Sequence, residues 1–169
     1  METKNEKDNS RFTLTRVFNA PRELVFKAFT EADRMAKWWG PKGSDIKINK
    51  LDLRPGGVFH YSMAFGDNTI WGLFIYREIV APVRLVFVNC FSDKDGNKAR
   101  SPFHPVWPLE ILNTFTFTEQ DGKTTLTIIG GPINASQQEV EAFEANIGNL
   151  QTGFKGTFDA LDEYLATYK

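Results

Sequence analysis

A single cysteine, Cys90, stands among 169 residues, so no disulfide can close within the chain. A lone thiol at the end of an apolar run fits a reducing compartment, and a cytoplasmic location is the expectation. Histidine is nearly as scarce. His60 and His104 fall on different segments, apart from each other and from Cys90, without the close spacing a zinc site requires. The stretch "DKDGNK" from Asp93 has the look of a calcium loop, but Gly96 is misplaced and the twelfth position is His104 instead of a glutamate. No metal and no cofactor are therefore expected. An excess of charge of one sign is also missing: 20 basic and 21 acidic residues are interspersed, with a net charge of −1. Without a basic stripe, nucleic acid is not an expected partner. No apolar run reaches the ~18 residues of a membrane span. The opening "METKNEKDNSR" has no apolar core and does not read as a secretory signal. Phosphate-binding glycine loops and the G-x-S-x-G elbow of hydrolases are absent as well.

Aromatic residues are what the chain has in quantity: 15 Phe, 4 Tyr and 4 Trp, or 14% of the sequence. Such a set fills a core generously or lines a cavity. The segment "EADRMAKWWGPKG" (31–43) sets Trp38 and Trp39 side by side at the end of a helix. Adjacent residues cannot share one face of a helix or strand. The pair is read as core filler, as part of a ligand cavity, or as an anchor for a partner protein. Burial of one such ring, up to about 150–250 Å², is worth roughly 4–6 kcal/mol, so packing alone is reason enough for it.

Hydrophobic periodicity orders the rest. Residues 1–10 read as a polar tail, and 11–169 as one domain. "RFTLTRVF" alternates as a strand, with Phe12, Leu14 and Phe18 on one face. Two short helices follow: one starting at Pro21, the other capped by Thr30 with Asp33 and stopped by Gly40-Pro41. Strands are predicted over 44–53, with a bulge between Ile48 and Leu51, and over 58–66, 69–80, 83–91, 109–118 and 123–130. A proline-rich loop, 98–108, lies among them. At the C-terminal end, Ser136 and Glu139 form a capping box. Val140, Phe143, Ile147, Leu150, Phe154, Phe158, Leu161 and Leu165 then recur at steps of three and four, predicting one helix of roughly 30 residues, about 45 Å. Runs of strands with helices segregated at the ends indicate an α+β fold with an antiparallel sheet.

Several side chains are candidates for function. His60 lies opposite Phe59 and Tyr61 on its strand and reads as a surface histidine; His104 reads as stiffening its loop, with the cover of a pocket mouth as the alternative. Asn113 shares an inward face with Ile111, Phe115 and Phe117, where an unpaired amide costs roughly 1–3 kcal/mol. The long helix carries Asn146, Gln151 and Thr157 beside its apolar stripe, and glycines at 148, 153 and 156. Each glycine costs about 1 kcal/mol against alanine, which suggests either tight packing on the sheet or room for a ligand.

Taken together, "RVFNAPRELVFKAFTEADRMAKWWGP", "LDLRPGGVFHYSM", "YREIVAPVRLVFV", "GKTTLTI" and "QTGFKGTFDALDEYLA" resemble, in order and spacing, the family of homologues of the heat-shock-chaperone (90 kDa) ATPase activator. That family belongs to the START-like (SRPBCC, polyketide cyclase and lipid transport) helix-grip superfamily. The resemblance implies a curved antiparallel sheet of about six or seven strands gripping the C-terminal helix, with two short helices after strand 1 and a cavity between sheet and helix. The chain has no room for the separate chaperone-binding domain of the eukaryotic co-chaperone, so chaperone binding is not expected. The superfamily's cavity residues vary, and no catalytic set carries over.

The leading expectation is a binding module for a small apolar or aromatic molecule, lined by Trp38, Trp39, Phe59, Tyr61, Met63, Trp71, Asn113, Phe115, Phe117, Gln151 and Phe154. One of the two tryptophans would plug the core and form one wall of the cavity. The alternatives are an enzyme of cyclase or hydrolase type, with Glu110 or Glu78 paired to Tyr61 or His60, and a chaperone-accessory protein. The loop "NKARSPFHPVWP" is read as a lid or as part of a homodimer contact.

Overall fold

A computed structural model describes residues 11–40 and 43–168. The predicted tail, 1–10, lies outside the described residues. The elements are β1 (Phe12–Phe18), α1 (Arg22–Thr30), α2 (Ala32–Trp38), β2 (Asp45–Leu51), β3 (Val58–Phe65), β4 (Asn68–Val80), β5 (Arg84–Ser92), the two-residue β6 (Lys98–Ala99), β7 (Glu110–Gln120), β8 (Lys123–Ile133), α3 (Gln137–Ala145) and α4 (Ile147–Ala166). One antiparallel sheet runs in the order β1-β8-β7-β5-β4-β3-β2, with β6 on β5. This curved, open sheet around the C-terminal helix is the helix-grip architecture.

Local chemistry explains most boundaries. β2 carries its bulge between Ile48 and Lys50, where the hydrophobic phase changes. β7 and β8 are joined by a two-residue turn in which Asp121 and Gly122 take φ of 56° and 75°, the left-handed pair a tight hairpin needs. The Ser136–Glu139 capping box is fully formed at the start of α3.

Two local expectations are corrected. Thr30 does not cap the second helix: it ends α1, and its Oγ1 donates back to the Phe26 carbonyl at 2.9 Å, while Glu31 takes the N-cap of α2. A buried threonine satisfies its hydroxyl more cheaply on the preceding turn than by leaving the helix. The C-terminal helix is two helices, not one. Asn146, at φ −109° and ψ 10°, interrupts it, and its Nδ2 donates to the Ala142 carbonyl at 2.8 Å. Asparagine competes locally for backbone groups, so the chain turns there although the apolar periodicity continues across it. The 20-residue α4 spans about 30 Å.

The core sits between the inner face of the sheet and the helices. Val25, Phe26, Ala28 and Phe29 of α1, Met35 and Trp38 of α2, and Phe158, Leu161 and Leu165 of α4 are all buried against Phe18, Phe115, Phe117, Leu126 and Ile128. Phe29 is the hub. Its ring meets Trp38, Phe115, Phe117 and Phe158 edge-on, with centroids 4.8–6.1 Å apart, the arrangement ring quadrupoles favour. Outside this core, Arg16 of β1 holds α4 to the sheet through Asp159 at 2.8 Å and Asp162 at 2.5 Å.

Candidate functional site

A cavity of about 460 Å³ lies between the sheet and the start of α4, beyond the packed core. Phe12, Met63, Ile70 and Ile111 line its sheet side; Phe143, Leu150 and Phe154 line its helix side; Ser101, Phe103, His104, Trp107 and Pro108 border it from the 98–108 loop. Its polar groups include the amides of Asn89, Asn113, Asn146 and Asn149, and no Asp, Glu, Lys or Arg stands in the wall among the described residues.

Two glycines make the space. Gly72 of β4 pairs with Tyr61 of β3, and a Cβ at position 72 would stand 2.4 Å from the Tyr61 ring and hydroxyl. Gly130 of β8 pairs with Asn113 of β7, and a Cβ there would stand 2.5 Å from Asn113 Oδ1. Each glycine lets the neighbouring strand's large side chain lie flat across the sheet. The break at Asn146 contributes on the helix side, because it brings Asn146 and Asn149 to the wall, where Asn149 Nδ2 donates to Asn146 Oδ1 at 2.9 Å.

Of the residues singled out from sequence, Tyr61, Met63, Trp71, Asn113 and Phe154 border the cavity. Trp71 does so edgewise, since its ring stacks on His60 on the other face of the sheet, 5.1 Å away. Trp38, Trp39, Phe59, Phe115, Phe117 and Gln151 do not border it. Trp38, Phe59, Phe115 and Phe117 are buried in the core, each no more than 3% exposed. Gln151 is exposed, on the solvent side of α4, because the apolar stripe runs through Leu150 and Phe154. Gly148, Gly153 and Gly156 are exposed too, with nothing within 4 Å of where a Cβ would be, so they serve neither tight packing nor ligand space.

The tryptophan pair resolves by geometry. Trp38 ends α2 and Trp39 turns extended, so the rings diverge at 89°. Trp38 fills the core, and its Nε1 donates to the Ala28 carbonyl at 2.9 Å. Trp39 packs on Tyr61 and Phe74, one layer behind the cavity wall. Burial pushes the Tyr61 phenol up to about 12, with Trp39 offsetting part of the rise. Burial likewise raises the Cys90 thiol to about 11, which keeps it protonated and unreactive at neutral pH.

One of the two histidines differs from expectation. His60 faces away from Phe59 and Tyr61, yet it is only 3% exposed. The outer face is covered there by Trp71 and by the 93–97 turn. The His60 Nε2 lies 3.1 Å from both Ser92 Oγ and the Asp93 carbonyl, and Nδ1 lies 2.9 Å from Asn49 Nδ2. This has the outline of a serine–histidine pair, but the carbonyl requires a proton on Nε2, so that nitrogen cannot accept one from Ser92. The group pins the turn to the sheet. His104 borders the cavity, and its Nδ1 accepts from the Val106 backbone N–H at 3.3 Å, leaving Nε2 as the protonated nitrogen.

The carboxylates proposed as acid–base partners are committed elsewhere. Glu78 pairs with Arg84 at 2.8 Å, and Glu110 with Lys98 at 2.6 Å. Lys98 and the Asn134 amide hold the Glu110 carboxyl below its ordinary range. At the other end of the α3 capping box, Arg100 pairs with Glu139. Both basic residues belong to the start of the 98–108 loop, so two ion pairs fasten it beside the cavity.

Among the cavity residues that sequence reasoning missed are Phe12, Ile70, Gly72, Asn89, Trp107, Ile111, Gly130, Phe143 and Leu150. For most of them a signal existed. Ile70 and Gly72 continue the inward parity of Phe74, Asn89 that of Phe87, and Gly130 that of Leu126 and Ile128.

The sequence and the fold match known proteins. Residues 19–166 match the family described as Activator of Hsp90 ATPase homolog 1-like protein. The chain belongs to that family. Among solved structures, the Ms6760 protein from Mycobacterium smegmatis has 25% identity and a TM-score of 0.78, covering 96% of this chain and 95% of its own. A protein from Staphylococcus epidermidis has 21% identity and a TM-score of 0.75, covering 95% and 92%. DynU16, from the dynemicin biosynthetic locus, has 20% identity and a TM-score of 0.64; the match covers 95% of this chain and 48% of DynU16. No curated protein matches the sequence. No helix among the described residues is long and apolar enough to cross a membrane.

Proposed function

We propose that this member of the activator-homologue family binds a small, mainly apolar or aromatic molecule in the space between the sheet and α4. The observation that carries the reading is the cavity itself: about 460 Å³, walled largely by aromatic and aliphatic side chains. That volume falls within the ~300–1,000 Å³ of small-molecule sites, and the mix of an apolar wall with a few polar groups is the usual composition. The 98–108 loop acts as the lid, because its residues cover the mouth and its two ion pairs hold it there. Tyr61, Met63, Asn113 and Phe154 are the contacts kept from the sequence reading, joined by Ile70, Ile111 and Leu150.

The test uses the neutral probe N-phenyl-1-naphthylamine, whose fluorescence rises in apolar surroundings. The wild-type protein is expected to give a saturable rise at one probe per chain. Leu150→Trp, which fills the cavity from the helix side, is expected to weaken binding at least about tenfold while costing less than ~1.5 kcal/mol of stability. No saturable rise with the wild-type protein would sink the proposal.

A further inference from the structure

One amide in the cavity stands apart from the others. Asn113 is 5% exposed, it borders the cavity, and among the described residues its side chain has no hydrogen-bond partner. The Asn146 amide donates to the Ala142 carbonyl of α3 and accepts from the Asn149 amide, and Asn89 is only half-buried. The Asn113 amide is not among the polar groups sealed off without a partner, which among the described residues are Arg22 Nε, Trp39 Nε1 and Tyr76 Oη, so it is open to the cavity. An inward-facing amide that no protein group holds calls for a reason. Packing does not supply one: a leucine of the same shape would sit among Phe115, Phe117 and Ile111 without the polar cost.

The strand opposite is cut away for this side chain. Oδ1 occupies the space over Gly130 that any Cβ there would invade, 2.5 Å away. That leaves the Nδ2 end free to donate. The wall offers no charged side chain, so an ionised group on a ligand would lose its hydration without a counter-charge. We infer that Asn113 is the specificity-determining residue of the cavity. Its Nδ2 donates to one uncharged oxygen, a carbonyl or hydroxyl, on an otherwise hydrophobic ring system. The inference rests on the cavity reading above and adds the chemical class of the ligand.

The test compares 9-fluorenone with fluorene, near-isosteres that differ by the carbonyl oxygen, by calorimetric titration of the wild-type protein and Asn113→Leu. The wild-type protein is expected to bind the ketone about tenfold more tightly than the hydrocarbon, the worth of one net hydrogen bond. In Asn113→Leu the preference is expected to vanish or reverse. Equal binding of the two compounds by the wild-type protein overturns the role of Asn113 and leaves the cavity reading standing. So does failure of both to bind while N-phenyl-1-naphthylamine still does. Failure of all three overturns the cavity reading itself. Should Asn113→Leu not fold, the infrared carbonyl band of 9-fluorenone bound to the wild-type protein decides. A shift to lower frequency than in hexane supports the donated bond, and an unshifted band overturns it.

Discussion

The two ends of the sheet–helix interface are built from the same elements and come out opposite. At one end β1 supplies Phe18, β7 Phe117, β8 Leu126 and α4 Phe158, each with essentially no exposed surface. At the other end the same four elements supply Phe12, Asn113, Gly130 and Leu150, and they surround a cavity. β1, β8 and β7 stay paired across both ends. β1 keeps a phenylalanine at both ends, but Phe117 gives way to Asn113, Leu126 to Gly130 and Phe158 to Leu150, and α3 turns off at Asn146. A hollow in this fold is thus a local matter of side-chain volume on a continuous scaffold, and the packed end holds the scaffold together while the other stays open.

That contrast can be broken from the packed end first. Phe158→Ala removes a fully buried ring in contact with Phe18, Phe29 and Phe154, and is expected to cost ~3–5 kcal/mol in urea denaturation. A loss under ~1 kcal/mol would mean that the two ends do not differ in packing. Gly130→Val attacks the hollow end from the sheet. Its Cβ meets Asn113, so the expected loss is ~1–3 kcal/mol together with the probe site. If probe binding survives, Gly130 does not shape the cavity.

Smaller effects bear on the lid. Glu110 and Glu139 are both held below their ordinary value of 4.5, the first chiefly by Lys98, the second by the Ser136 backbone N–H and then Arg100. A lowered carboxyl adds stability above its unfolded value and loses it as the pH falls through the folded one. The ion pairs are therefore intact at neutral pH and released below about 4.5, at no more than ~1 kcal/mol for each. Limited pepsin digestion is expected to show cleavage in 98–108 rising over that range ahead of global unfolding. Cleavage that tracks global unfolding alone would mean that the pairs do not fasten the loop. Smallest of all, Gln151→Ala is expected to change stability by less than ~0.5 kcal/mol and to leave probe binding untouched. A clear loss of binding would return Gln151 to the cavity.

Much of the scaffold was legible because it follows from short-range rules. Alternation revealed the inward faces of β1, β3 and β7, the phase change placed the bulge in β2, and serine with glutamate three residues on placed the start of α3. The continuous helix failed for a specific reason. Periodicity counts apolar residues, which run unbroken past Asn146, whereas the break depends on one side chain bonding back to the preceding turn. His60 failed because parity tells which face a residue is on and not what covers that face.

The site was legible only in part, and the division is physical. The sequence alone determined which residues face inward, that the sheet is antiparallel, that one helix lies along it, and that the family is the activator-homologue family. Each of these depends on periods of two or 3.6 residues, or on motif order, along one segment. Whether the inward face is filled depends on sums of volume across strands far apart in sequence: Tyr61 over Gly72, Asn113 over Gly130, and Phe12, Ile70 and Leu150 around one cavity. Only the tertiary structure sets those residues against one another. For that reason it alone decided that Trp38 is core, that Trp39 stands one layer back, and that the hollow lies at the other end of the grip.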